Sequence, residues 1–190
     1  MSRISIPAVE QAAAESKPLL AAVKKQLGVV PNLMRLVGHS PTALEGYLAL
    51  NGALAKGTLD TKLRERIALA VAEYNGCDYC LAAHEYLGRN VAKLGESEID
   101  AARDGRSEDK FAAAALRFSL RVAESRGRVS DAEIATLRAA GFGEAAIVEI
   151  VVNVALNILT NYVNNVALTD IDFPKRLQHG RQGKRGVRSP

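Results

Sequence analysis

Two cysteines stand three residues apart, Cys77 and Cys80, in a chain of 190 residues that contains no others. Asn75-Gly76 just before them should break one helix and let another start near Cys77. Sulfurs in a first helical turn meet unpaired backbone N–H groups and the positive end of the helix dipole, both of which favour a thiolate. Such placement lowers a thiol pKa from about 8.5 to about 7 or below and makes the side chain a nucleophile at neutral pH. The spacing also lets the two sulfurs come within disulfide distance. His84, one turn beyond Cys80 and two beyond Cys77, lies on the same face and can take or return a proton.

Glu65 has two readings. It lies opposite the apolar stripe Leu63, Ile67, Ala70, Val71 and Tyr74, which suits a surface carboxylate paired with Lys62 or Arg66. Its own face nevertheless continues with Ala68, Leu69 and Ala72. A helix apolar on both sides would leave Glu65 at the edge of a buried region, where a carboxylate can join a proton relay. The cysteines also have blander readings. Paired thiols pack well in cores, and a CxxC can be half of a zinc site, although only His39 and His179 remain as distant further ligands. His84 among apolar neighbours can equally be a satisfied core residue.

The elements that position these side chains all read as helices. Leu19 to Leu27 forms a first helix, stopped by Gly28 and Pro31. Ser40-Pro41 opens a second, ended by Gly57. Asp60 or Thr61 caps a third, which runs to Asn75-Gly76. The helix starting at about Cys77 carries Cys80, Leu81, His84, Leu87, Gly88 and Val91 as one stripe. Ser97 is expected to cap a short turn through Arg103, and Ser107 to open a helix whose inward stripe is Phe111, Ala115, Phe118 and Val122. Ser130 and Glu133 form a capping box, with Gly141 closing that helix. A last long helix spans about Gly143 to Thr169. Nothing alternates at period two for long, aromatic residues make up 5% of the chain and Trp is absent, so the fold class is all-α in one domain, 1–174.

The formal charge of +4 is a property of the end of the sequence. Residues 175–190 hold six basic side chains and no acid; without them 19 basic residues face 21 acidic ones. That stretch is too polar and Gly-rich to build a core and reads as a disordered tail, which makes a nucleic-acid partner unexpected. Ala140-Gly141-Phe142 is similar to a helix-turn-helix bend, but the helix after it is too apolar for a DNA groove. Ile150 to Thr169 has the length of a membrane span, yet five asparagines there are costly in lipid. A buried or interface helix is the expectation. Asn153, Asn157, Asn161 and Asn165 recur every four residues as one row that neighbouring helices or their copies must satisfy, so the helix is expected at or beside a subunit interface of a homo-oligomer. No basic segment followed by an apolar stretch opens the chain, so the expected location is cytoplasmic.

Glu65-x11-Cys77-x2-Cys80-x3-His84, with Asn-Gly before the first Cys, resembles the active-site signature of alkylhydroperoxidase D-like proteins in the carboxymuconolactone decarboxylase superfamily. Val30 to Leu33, His39 to Pro41, Asn161 to Asn165 and Ile171 to Pro174 are similar to its peroxidase-related subgroup, so the likeness spans residues 4–174. The resemblance implies an oligomeric helical bundle that reduces hydrogen peroxide or organic hydroperoxides. No cofactor or metal is implied beyond a redox-active Cys77–Cys80 disulfide, and the reductant would be a thiol or dihydrolipoyl-type partner. By the same carry-over Cys80 is peroxidatic, Cys77 resolving, and Glu65 with His84 the proton relay. Tyr79 departs from alkylhydroperoxidase D, which has a relay His there. Alternatives are a decarboxylase of the same superfamily, against which the paired cysteines count, and a thiol-disulfide reductase or redox sensor.

Overall fold

The computed structural model describes residues 1–174; the basic stretch 175–190, expected to be a disordered tail, lies outside the described residues. Among the described residues every regular element is helical. A 3-10 turn at Val9–Gln11 is followed by α1 (Ser16–Leu27), α2 (Asn32–Val37), α3 (Pro41–Leu54), α4 (Thr61–Tyr74) and α5 (Asp78–Asn90). Then come α6 (Glu96–Arg103), α7 (Lys110–Ser125), α8 (Asp131–Ala139) and α9 (Glu144–Ala167).

Side-chain caps set most of the starts. Ser40 Oγ accepts the Ala43 N–H at 3.3 Å, and Asp60 Oδ1 accepts that of Leu63 at 2.7 Å. Ser130 and Glu133 exchange bonds as a capping box, the Ser130 N–H donating to Glu133 Oε2 at 2.6 Å. Three boundaries differ from expectation. The cap of α6 is Gly95 rather than Ser97, because Glu98 reaches back to the Gly95 N–H at 2.8 Å. Asp109, not Ser107, opens α7, its Oδ1 accepting the Phe111 N–H at 2.9 Å. Helix α3 ends at Leu54, before Gly57, which instead lets the loop run close against Glu149: a Cβ there would lie 2.6 Å from Glu149 Oε2. Helix α2 was hidden by Pro31, which does not merely stop α1; its carbonyl accepts the Met34 N–H at 2.9 Å and starts the new turn. Phe111 is not on the inward stripe of α7: it is partly exposed and stacks on Phe142 with ring centroids 3.8 Å apart.

Helix α4 is the centre of the bundle, packed against α5, α6, α7 and α9, with Arg66 through Ala72 all buried. It joins two apolar clusters. One gathers residues of α4, α6, α7, α8 and α9 around Ile67, Leu69, Ile99, Leu116 and Ile150. The other surrounds Cys77 and Cys80 with Leu20, Leu33, Met34, Leu44 and Ala72, and is flanked by Ile171 and Phe173 from the C-terminal segment.

Helix α9 has the length and composition of a membrane span, but it packs on α3, α4, α5 and α7. Its asparagine row does not lie on an outer face. Asn153, Asn157 and Asn161 are buried within the protomer, and Asn165 bonds inward to the Asn75 carbonyl at 3.0 Å. The exposed stripe is the apolar one, Val148, Val151, Ala155, Leu159, Tyr162 and Val166. A buried amide needs a hydrogen-bond partner: Asn153 and Asn157 donate to carbonyls one turn back in α9, and Asn161 and Asn165 meet Asn75 at the end of α4, so the polar side turns in.

Candidate active site

The break between α4 and α5 puts the sulfurs in place. Gly76 has φ +62°, a left-handed conformation that suits glycine, and the Cys77 N–H returns to the Ala72 carbonyl at 3.0 Å. Cys77 thereby becomes the N-cap of α5, and its Sγ accepts the Cys80 N–H at 3.3 Å. The break is held from α9: Asn75 Nδ2 donates to Asn161 Oδ1 at 2.9 Å while Asn165 holds the Asn75 carbonyl. Cys77 and Cys80 are joined as a disulfide, with Cα atoms 5.3 Å apart, and are 0% and 2% exposed.

Glu65 belongs with this pair. Its Oε2 lies 2.8 Å from His84 Nδ1, and the two side chains are 17% and 21% exposed. The surface alternative gives way because Arg66 turns to Glu98 at 2.5 Å instead. A carboxylate accepting from Nδ1–H leaves Nε2 as the basic nitrogen of the imidazole. The sequence did not single out Tyr47, on α3. Burial first, then the nearby Glu65 carboxylate, push its hydroxyl up to about 12, so Tyr47 stays a neutral donor beside the relay. Arg103 fixes the two helices behind the site by pairing with Glu73 of α4 at 2.7 Å and Glu85 of α5 at 2.5 Å.

Tyr79 takes no such place. Its hydroxyl accepts the Leu33 N–H at 3.1 Å and donates to Asp172 Oδ1 at 2.9 Å, while its ring meets the edge of Phe173 at 5.7 Å. Burial, reinforced by the Asp172 charge, raises its pKa well above the usual phenol range. Asp172 Oδ2 also accepts the Asn32 N–H at 2.7 Å. The residue that occupies a relay position in alkylhydroperoxidase D thus ties α2 and the C-terminal segment to the redox helix. Asp172 and Asn164 were also missed as site residues. Asn164 donates from Nδ2 to Cys80 Sγ at 3.3 Å, but it lies outside the every-four row that drew attention to its neighbours.

Residues 41–125, which contain Glu65, both cysteines and His84, match the model of the carboxymuconolactone decarboxylase family. Over 90% of this chain, the fold superposes with a TM-score of 0.81 on 92% of the alkylhydroperoxidase AhpD core of an uncharacterized peroxidase-related protein from Ralstonia eutropha JMP134, at 25% identity. An uncharacterized peroxidase-related protein from Silicibacter sp. TM1040 gives 0.79 at 21% identity, over 89% of this chain and 91% of that one. The chain is thus similar to the carboxymuconolactone decarboxylase family over residues 41–125, and in fold to the alkylhydroperoxidase AhpD core over most of its length. A curated but uncharacterized protein of Haemophilus influenzae is 44% identical over 63 residues, 33% of this chain; the match spans half the length of that relative.

Proposed function

We propose that the protein is a thiol-dependent peroxidase that reduces hydrogen peroxide or an organic hydroperoxide through a Cys77–Cys80 dithiol/disulfide cycle. The observation that carries this reading is the disulfide at the start of α5, with the Glu65–His84 hydrogen bond one turn along the same helix. The Cys80 thiolate attacks the distal peroxide oxygen and the O–O bond breaks. Cys80 becomes a sulfenic acid, and the leaving hydroxide or alkoxide takes the proton that His84 Nε2 had received from the Cys80 thiol. The Cys77 thiol then displaces hydroxide from the sulfenic sulfur; a proton completes water, and the disulfide forms. Glu65 stabilises the imidazolium that arises between these steps. An external dithiol of the dihydrolipoyl type supplies the two electrons that reopen the disulfide. A reducing cytoplasm suits that regeneration.

The near-complete burial of both sulfurs favours a small oxidant over a protein disulfide as substrate, and so favours peroxidase over general disulfide reductase. The test is a thiol titration of reduced protein before and after stoichiometric organic hydroperoxide. Two thiols per chain should disappear and dithiothreitol should restore both; thiols that persist after peroxide would end this reading.

The protein also assembles, in this proposal, as a homo-oligomer through the outward stripe of α9 rather than through its asparagine row. Val148, Val151, Leu159, Tyr162 and Val166 are 38–63% exposed and recur at helical spacing, a surface that a second copy would cover. Light scattering should give at least a dimer at micromolar concentration, and Leu159→Glu should shift it toward monomer. A monomeric wild type would overturn this assignment.

A further inference from the structure

Each sulfur of the pair receives one hydrogen bond, and the two donors differ in kind. Cys77 takes a backbone N–H at the helix start, that of Cys80. Cys80 takes a side-chain amide, Asn164 Nδ2 of α9, at 3.3 Å. Asn164 is 2% exposed, and its Oδ1 is buried with no hydrogen-bond partner. A buried amide that spends its donor on sulfur and leaves its acceptor unused runs against the usual satisfaction of polar groups, which marks such atoms as needing an explanation.

We propose that Asn164 is a catalytic residue: its N–H stabilises the Cys80 thiolate, and its free carbonyl accepts the O–H of the sulfenic acid that forms there. The proposal rests on the peroxidase reading for its second half only. A disulfide sulfur is a weak acceptor, whereas a thiolate is charged, and a hydrogen bond to a charged group is about twice as strong as a neutral one. A carbonyl turned toward the sulfur would oppose that charge, so the orientation observed is the one a thiolate selects. Once peroxide has placed an oxygen on Cys80, the new hydroxyl needs an acceptor in a buried site, and Oδ1 is on the same amide. This neutral group adds no charge that must be desolvated. The arrangement accounts for Cys80 being the attacking sulfur although Cys77 holds the helix cap: both thiols have a donor, but only Cys80 has a partner able to receive the oxidised product.

The titratable groups packed around the pair are Cys77 itself, His84 with Glu65, Tyr47 on α3, and Tyr79 with Asp172. None of these is altered by a change at Asn164, so a shift in Cys80 ionisation reports on the amide. The experiment uses full-length protein carrying Cys77→Ser, in which Cys80 is the sole thiol. Its ionisation is followed by the ultraviolet absorbance of the thiolate against pH. Asn164→Leu should raise the midpoint by about one to two pH units, and the neutral Asn164→Ala by a similar amount. The rate of sulfenic acid trapping after peroxide is measured in parallel and should fall about tenfold or more at neutral pH. Ala removes both amide atoms without adding charge or bulk, so it preserves the test if Leu does not fold. An unchanged midpoint in either folded variant overturns the proposal. A shifted midpoint in a protein whose wild type never reacts with peroxide upholds the thiolate contact, while the peroxidase reading and the sulfenic acid role fall.

Discussion

Cys80→Ser is expected to bring peroxide consumption down to the uncatalysed background, while Cys77→Ser still consumes one equivalent and stops. A serine hydroxyl at position 80 is not ionised near neutral pH and cannot replace the thiolate as nucleophile. Without Cys77 the first step is intact, because Cys80 keeps the Asn164 amide and its place beside the Glu65–His84 pair. The sulfenic acid then has no thiol to displace its hydroxyl and should be trapped by a dimedone-type probe at Cys80. Peptide mapping decides the outcome: adduct at Cys77 in the Cys80→Ser protein, with none at Cys80 in the reciprocal variant, would exchange the two roles.

His84→Ala should slow sulfenic acid formation by about 10²–10⁴-fold, the usual worth of a positioned general acid–base group. Glu65→Gln should slow it less. A glutamine carbonyl can still accept the His84 Nδ1–H and orient the ring, but it carries no charge to stabilise the imidazolium. Single-turnover kinetics with excess hydroperoxide, in the Cys77→Ser background, isolate this step from disulfide formation and reductant. Equal losses for both variants would mean that Glu65 orients nothing without its charge. A wild-type rate for Glu65→Gln would remove that residue from the chemistry and leave its hydrogen bond a structural one.

Much of the fold was legible because its signals are local. Ser40-Pro41, Asp60, Asn75-Gly76 and the Ser130–Glu133 box each act within one turn, and each marks an observed boundary. The starts that were misread depend on competition between neighbouring polar groups: Glu98 chooses Gly95, and Asp109 outranks Ser107, which sequence spacing does not weigh. At the site, Cys77, Cys80 and His84 share one helix, so their spacing fixes their relation. Glu65 reaches them across a helix pair, and only packing could show that Arg66 leaves it for Glu98. Tyr47, Asn164 and Asp172 come from three other parts of the chain, and no periodicity connects them to the cysteines. The asparagine row was legible as a row, but whether it meets neighbouring helices or a second copy was not, because helical periodicity identifies a face without saying what it meets.

The inward amides of α9 also bear on the order in which the protein becomes chemically competent. Asn161, Asn164 and Asn165 are the residues that hold Asn75 and touch Cys80, and among the described residues α9 follows every other helix. Domains take shape as the ribosome extends them, so α4 and α5 exist as a cysteine-bearing hairpin well before these amides have been made. A nascent chain halted before residue 161 carries both thiols but none of the contacts that α9 makes to them. When the helix docks, a slip of one residue would rotate it by about 100° and strand several amides, each costing about 1–3 kcal/mol. Polar matching therefore fixes a single alignment where an all-aliphatic seam would tolerate several. The thiols acquire their native surroundings only when α9 docks, together with the fold itself.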